Sequence, residues 1–152
     1  MVIGKTGCFE IVSKGADLKV VNNRGCTPLQ SAVRWGHKGV AHLLVAKGAQ
    51  EDVFAAAGLG DLKRLEALLK DAPKLAGAKM KDGWTALHFA AGCDQVEAVK
   101  FLLEKGAALD ATDINGIPAR QVAETTNSKS VAAYLKKMEE AAEKGKAGGG
   151  KE

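Results

Sequence analysis

The sequence predicts an all-α fold in which short helix-turn-helix units stack side by side into a solenoid. Aromatic residues make up only 5% of the chain, a composition that favours small, closely packed helices. The stretch GWTALHFAAGCDQVEAVKFLLEKGA, from Gly83, aligns without a gap on GCTPLQSAVRWGHKGVAHLLVAKGA, from Gly25. Each copy also carries paired aliphatic residues that water would surround unless a neighbouring copy covered them.

Both copies follow one plan. A Gly-x-Thr turn, which we call the finger, leads into a first helix of small residues. A polar break follows, and then a second helix with paired apolar residues such as Leu43-Leu44 and Phe101-Leu102. A glycine that can adopt the left-handed conformation ends each copy. Since one copy alone would leave its apolar pair exposed, the plan requires an array.

The copies divide the chain into an array and a tail. Nothing upstream of Gly7 can supply a first helix, so the N-terminal repeat is only partial. We assign this partial repeat to residues 1–21, repeat 1 to 22–50, a shortened repeat 2 to 51–79, repeat 3 to 80–112, a C-terminal capping repeat to 113–138 and the tail to 139–152.

Repeat 2 is the unusual member. Gly15 precedes Gly48 by 33 residues, and Gly83 precedes Gly116 by the same number. The spacing from Gly36 to Gly60 is only 24, and the loss falls between Val45 and Val53. We therefore expect finger 2 to be shortened or missing, with Glu51 and Asp52 at a helix N-terminus. The row of finger tips should then have a gap between repeats 1 and 3. The alternative is that Glu51 begins a second, separate stack.

Three further local features are expected. Pro73 should end the second helix of repeat 2. In the capping repeat the finger is kept, and polar Arg120 suits a helix that faces water. The tail combines mixed charge with a glycine run, so it cannot bury enough apolar surface to offset its ordering entropy, and we expect it to be disordered.

The chain resembles the ankyrin repeat family, whose unit of 33 residues carries T-P-L-H-x-A after a turn. Thr27 to Ala32, TPLQSA, and Thr85 to Ala90, TALHFA, carry the resemblance. It implies an ankyrin-repeat solenoid that binds other proteins through finger tips and the exposed ends of first helices on a concave face. It also implies that His88 holds its turn together by hydrogen bonds.

Mapping that face onto this chain yields a set of predicted partner-binding residues. Trp35, Leu59 and Cys93 should form one exposed apolar ridge, bordered by Trp84. The alternative for the tryptophans is that one or both serve packing. Apolar anchors with a basic rim suit an acidic, amphipathic protein segment. The set comprises Arg24, Cys26, Arg34, Trp35, Leu59, Lys81, Trp84, Cys93, Ile114 and Ile117.

Catalytic, metal and cofactor sites are not indicated. Cys93 lies five residues after His88, roughly 140° around a helix, so the two cannot form a dyad. His37 and His42 miss the spacing of a paired metal site. The run Gly4 to Gly7, GKTG, lacks the upstream glycine and strand of a phosphate-binding loop. We therefore expect no cofactor and no small-molecule substrate.

Composition and charge bear on the functional class of the protein and on its cellular compartment. A net charge of +4 without a basic stripe does not indicate nucleic acid. Three widely spaced cysteines without a C-x-x-C pair indicate a reducing compartment, and no stretch is apolar enough for a membrane span, so we expect a cytoplasmic protein. A non-catalytic adaptor or scaffold is favoured. A structural subunit held permanently in an assembly is the alternative, and an enzyme or nucleic-acid binder on this fold is less favoured.

Overall fold

The computed structural model describes residues 17–148, which form a stack of helix pairs. Within this range the structure is all-α, as predicted, and the only strand-like pairings are two isolated bridges, Lys79 with Thr85 and Thr112 with Pro118. Most of the predicted partial repeat over 1–21 lies outside the described residues. The helices are α1 (Pro28–Arg34), α2 (Lys38–Ala46), α3 (Val53–Leu59), α4 (Leu62–Asp71), a 3-10 helix (Pro73–Gly77), α5 (Ala86–Gly92), α6 (Val96–Glu104), α7 (Ala119–Thr125) and α8 (Lys129–Gly148).

The helices form an inner and an outer layer. The inner helices α1, α3, α5 and α7 pack against one another in chain order, and each outer helix packs against the inner helix before it. Leu29 of α1, Ala55 of α3 and Phe89 of α5 belong to one buried cluster. Because this core continues through the shortened repeat, the alternative of two separate stacks is wrong.

Inner helix α3 is built to approach its neighbours closely. Its sequence VFAAAGL places Ala55, Ala56, Ala57 and Gly58 in the interior. A Cβ atom added at Gly58 would lie 2.1 Å from Cγ1 of Val33 on α1. The Val33 side chain therefore occupies the space that any larger residue at position 58 would need.

The link between α2 and α3 confirms that finger 2 is missing. Residues 47–52 contain no strand pairing, and the chain enters α3 directly. Asp52 caps this helix, since its Oδ1 accepts a hydrogen bond of 2.9 Å from the Ala55 amide. The side-chain amide of Gln30 donates to the other carboxylate oxygen. Burial raises the pKa of Asp52, against the lowering effect of these hydrogen bonds.

The predicted gap in the row of finger tips is wrong. Finger 1 (residues 22–26) touches finger 3 (residues 80–84) directly. A Cβ atom at Gly25 would lie 3.2 Å from Cδ of Lys81, so the Lys81 stem crosses finger 1. Arg34 on α1 also forms an ion pair of 2.6 Å with Asp82 of finger 3. The buried side chains of α3 are small, and repeat 2 has no finger of its own. Repeats 1 and 3 therefore touch across repeat 2.

His88 holds its turn and also joins two repeats. Its Nδ1 accepts a hydrogen bond of 3.2 Å from the Thr85 amide, so Nε2 carries the proton and donates over 3.0 Å to the Ile117 carbonyl. Gln30 makes the equivalent bond in repeat 1, accepting from the Thr27 amide at 2.8 Å. The His88 side chain is fully buried. The structural role implied by the resemblance is the role that the structure shows.

The C-terminal half corrects one expectation and confirms another. Helix α4 ends at Asp71, and Pro73 begins the 3-10 helix that follows, as predicted. The disorder predicted from residue 139 is wrong for residues 139–148, which continue α8. Glu, Lys and Ala are strong helix formers. Arg120 also pairs with Glu139 at 2.7 Å, which attaches the extension to α7.

We predict that Gly58→Ala destabilises the protein by roughly 1 to 2 kcal/mol, because crowding against Val33 outweighs the better helix propensity of alanine. Urea unfolding would measure the loss. Gly39→Ala is the matched control, since nothing lies within 4 Å of a Cβ there, and it should be neutral or slightly stabilising. A Gly58→Ala protein as stable as the wild type would contradict the packing described for α3.

We also predict that acid weakens the fold through His88. Burial lowers the pKa of folded His88 below its ordinary 6.5, despite the opposing hydrogen bond to Ile117. The unfolded chain therefore binds the proton more readily, and stability present above pH 6.5 is lost as pH falls from there toward the folded pKa. The slope for one proton is at most about 1.4 kcal/mol per pH unit.

Urea midpoints at about pH 7.5 and about pH 5.5 would test this for the wild type and His88→Gln. Glutamine does not titrate, and Gln30 shows that it can make the turn bond. The wild type should lose more stability than His88→Gln on acidification. Equal losses would mean that another group dominates.

Candidate partner-binding surface

Three fingers project from the described part of the stack, and each is a closed turn. Finger 4 comprises residues 113–117. In each finger the amide of the glycine bonds to a carbonyl three residues earlier, and Gly25, Gly83 and Gly116 have φ of +78°, +81° and +76°. Only glycine adopts this region without strain. In fingers 1 and 4 the side chain at the first position, Asn22 or Asp113, accepts two further backbone amides.

Fingers 3 and 4 are joined through their backbones. The Ile114 amide donates to the Asp82 carbonyl at 3.0 Å. A Cβ atom at Gly83 would lie 2.8 Å from the Ile114 nitrogen, so the two turns are in van der Waals contact. Together with the contact between fingers 1 and 3, this makes one continuous row of tips that runs from finger 1 to finger 4.

Arg34 connects that row to the inner helices. Its guanidinium stacks 3.6 Å above the centre of the Trp84 ring and pairs with Asp82. The Arg34 side chain is only 9% exposed. Trp84 also packs edge-on against Phe89, with the ring centroids 5.3 Å apart. Arg34 and Trp84, both predicted to meet a partner, are therefore held mainly by the protein itself.

The predicted ridge of Trp35, Leu59 and Cys93 is interrupted. Trp35 ends α1 and is 65% exposed, and Leu59 is half-buried. Cys93 is only 8% exposed, and its thiol donates to the Val33 carbonyl at 3.2 Å. Burial raises the pKa of Cys93, against the effect of nearby Lys38. The expectation that Cys93 extends an exposed ridge is wrong, because Cys93, the residue after α5, turns its side chain toward α1.

The remaining predicted residues divide by exposure. Cys26 is buried, and burial raises the pKa of its thiol. Ile117 is half-buried, and its carbonyl accepts from His88. Arg24 and Lys81 are exposed, and Ile114, at 72%, is the most exposed large apolar side chain in the described range. The accessible members of the predicted set are thus Trp35 on the inner helices and three residues on the finger tips.

A cleft lies where fingers 1, 3 and 4 meet. It has a volume of about 300 Å³, and its walls include Arg24, Arg34, Lys81, Asp82, Asp113 and Ile114. We call it the inter-finger cleft. Sequence reasoning did not find Asp82 as a member, since its partner Arg34 is distant in the chain. The Asp-Gly pair at 82–83 indicates a turn but gives no sign of that ion pair.

Other kinds of site find little support in the described range. His88 is fully buried and both of its ring nitrogens have partners, so it has no free nitrogen for proton transfer. Among residues 17–148, no three histidine, cysteine or acidic side chains are grouped so that they could hold a metal ion. No helix there has both the length and the apolar character needed to cross a membrane.

Comparison with known families agrees with the repeat structure. A model described as ankyrin repeats (3 copies) matches residues 53–146, and a single ankyrin repeat model matches residues 24–57. The second match crosses the link that lacks a finger. The two matches together cover most of the stack, including the shortened repeat.

Curated relatives share the repeats within much longer chains. The chain is 38% identical to human B-cell lymphoma 3 protein over 112 residues, which cover 66% of this chain and 25% of that protein. It is 27% identical to tyrosine-protein kinase HTK16 of Hydra vulgaris over 74% of this chain and 12% of the kinase. It is 42% identical to E3 ubiquitin-protein ligase XB3 of Oryza sativa subsp. japonica over 43% of this chain and 15% of the ligase.

The matched segment thus spans a quarter or less of each of these relatives. The family model, in contrast, covers more than half of this chain and follows the helix pairs seen in the structure. From the repeated turn, the paired helices and these matches we conclude that the chain belongs to the ankyrin repeat family.

Proposed function

We propose that the protein is a non-catalytic adaptor or scaffold that binds an acidic, amphipathic protein segment. Ankyrin repeats generally mediate protein–protein interaction. The observation that carries the proposal is the exposure of Trp35, a large aromatic side chain 65% accessible at the end of an inner helix. Tryptophan is enriched among the residues that dominate binding energy at interfaces.

The finger row supplies the second part of the surface. Its tips present the cations Arg24 and Lys81 together with the aliphatic side chain of Ile114. An apolar anchor beside positive charge suits a partner segment that alternates acidic and apolar residues. Three of the four ion pairs in the described range involve Arg34 or Arg120, and neither Arg24 nor Lys81 takes part in any of them.

The relatives support a recognition role. By their names they include a tyrosine-protein kinase, an E3 ubiquitin-protein ligase and a potassium channel, and the shared segment is a minor part of each. A segment that recurs beside such different activities is better suited to recognition than to one chemistry. Free, buried Cys26 and Cys93 favour a reducing location, and we propose the cytoplasm.

A second candidate is a structural subunit held permanently in an assembly. It is favoured by Val20 and Val21, adjacent apolar side chains that are 60% and 51% exposed near the N-terminal side of the stack. A permanent neighbour could cover them. A protein that is monomeric in solution and binds its partner reversibly would count against this candidate.

We predict that the two tryptophans respond differently to truncation. Trp35→Ala should weaken partner binding by roughly 2 kcal/mol and leave stability nearly unchanged, as expected of an exposed anchor. Trp84→Ala should cost about 2 kcal/mol in stability, because Arg34 and Phe89 lose their packing partner.

The measurement is affinity purification with the wild type, followed by calorimetry on the identified partner and urea unfolding of each variant. Leu62→Ala is the matched control, since Leu62 is a partly exposed apolar residue on outer helix α4. It should leave affinity unchanged. If Trp35→Ala binds as tightly as the wild type, Trp35 is not the anchor, and the proposal loses its main support.

A further inference from the structure

We infer that the inter-finger cleft is a subsite for one carboxylate side chain of the partner, held between Arg24 of finger 1 and Lys81 of finger 3. The inference rests on the proposed function and assigns a specificity element to it. The subsite exists because finger 2 is missing, since a finger standing between repeats 1 and 3 would separate Arg24 from Lys81.

The charge of the cleft matches a single anion. Its walls carry three cations, on Arg24, Arg34 and Lys81, and two carboxylates, on Asp82 and Asp113. Asp82 is paired with Arg34, and the Asp113 carboxylate accepts the amides of its own turn. One net positive charge remains. A single glutamate or aspartate would neutralise it, whereas a polyanion would face two fixed carboxylates.

The stem of Lys81 and the backbone that bears Arg24 are positioned before a ligand arrives. The methylene stem of Lys81 lies along Gly25, where a Cβ atom would be 3.2 and 3.3 Å from its Cδ and Cγ. This contact packs the Lys81 stem against finger 1, in the wall of the cleft. The tip that bears Arg24 is itself fixed, because Asn22 accepts the amides of Arg24 and Cys26. A lysine stem already packed in this way loses less side-chain entropy on binding than a free one.

The edge of the cleft favours protein over nucleic acid. Ile114 stands at its rim with 72% of its surface exposed. A volume of about 300 Å³ suits one or two side chains. A phosphate backbone would bring several charges to a site with one net positive charge and would leave Ile114 in water. In a peptide, an acidic residue next to an aliphatic residue could pair with the cations and also cover Ile114.

A phage-displayed library of random dodecapeptides, selected on the full chain, supplies the probe. We expect the enriched peptides to contain Asp or Glu. A synthetic peptide from the selection, with its acidic residue replaced by the amide, should bind at least about tenfold more weakly. Arg24→Glu combined with Lys81→Glu should weaken binding of the acidic peptide by at least the same factor. The affinity for the amide peptide should stay nearly unchanged.

Lys47→Glu combined with Lys70→Glu is the matched control, because it changes the net charge equally at exposed positions outside the cleft. This double variant should bind the acidic peptide as the wild type does. Thermal unfolding of both double variants checks that they fold. If the cleft variant does not fold, Arg24→Gln combined with Lys81→Gln, which removes both cations without adding negative charge, replaces it and should bind the acidic peptide more weakly.

Acidic peptides that the double variant in the cleft binds normally would overturn the inference while leaving the proposed function standing. Enriched peptides without acidic residues would overturn the inference and also the acidic partner proposed above. A library that yields no peptide above a blank support would count against both. If a single-stranded DNA oligonucleotide displaces the acidic peptide and binds more tightly through Arg24 and Lys81, the subsite is for a polyanion instead.

Discussion

The close approach of the inner helices is the constraint on which the rest of the molecule depends. Helix α3 buries the small side chains of Ala55, Ala56 and Ala57, and Val33 of α1 fills the space beside Gly58. Because these side chains are small, α1 and α5 come near enough for Phe89 to share a cluster with Leu29. The ion pair between Arg34 and Asp82 and the contact between fingers 1 and 3 both follow from that approach.

The features that the sequence predicts correctly depend on nearby residues or on the repeat pattern. The helix pairs, the end of α4 before Pro73 and the cap at Asp52 depend on residues within one or two turns of each other, so pattern and propensity suffice. The missing finger was visible as a shortened spacing. Its consequence was not, because a count of residues does not show whether neighbouring fingers separate or close.

The errors have physical causes of the same kind. Cys93 stands ten residues after Gly83, as Trp35 does after Gly25, and this repeat position predicts exposure. The shortened repeat instead brings α1 near α5, and the thiol bonds to a carbonyl of α1. Composition alone predicts disorder for the charged segment after residue 138. Its helix gains from the ion pair of Glu139 with Arg120, a residue on the preceding helix that composition does not take into account. Long-range contacts decided both cases.

Two of the polar links between repeats respond to acid in opposite directions. At α5 the link is a neutral imidazole whose pKa is lowered, so protonation opposes the bond to Ile117. At α1 it is an amide bonded to Asp52, whose raised pKa makes protonation easier in the folded state. In a stack whose stability is a sum over neighbouring interfaces, acid thus weakens the contact of His88 with finger 4 without acting in the same direction on the contact between α1 and α3.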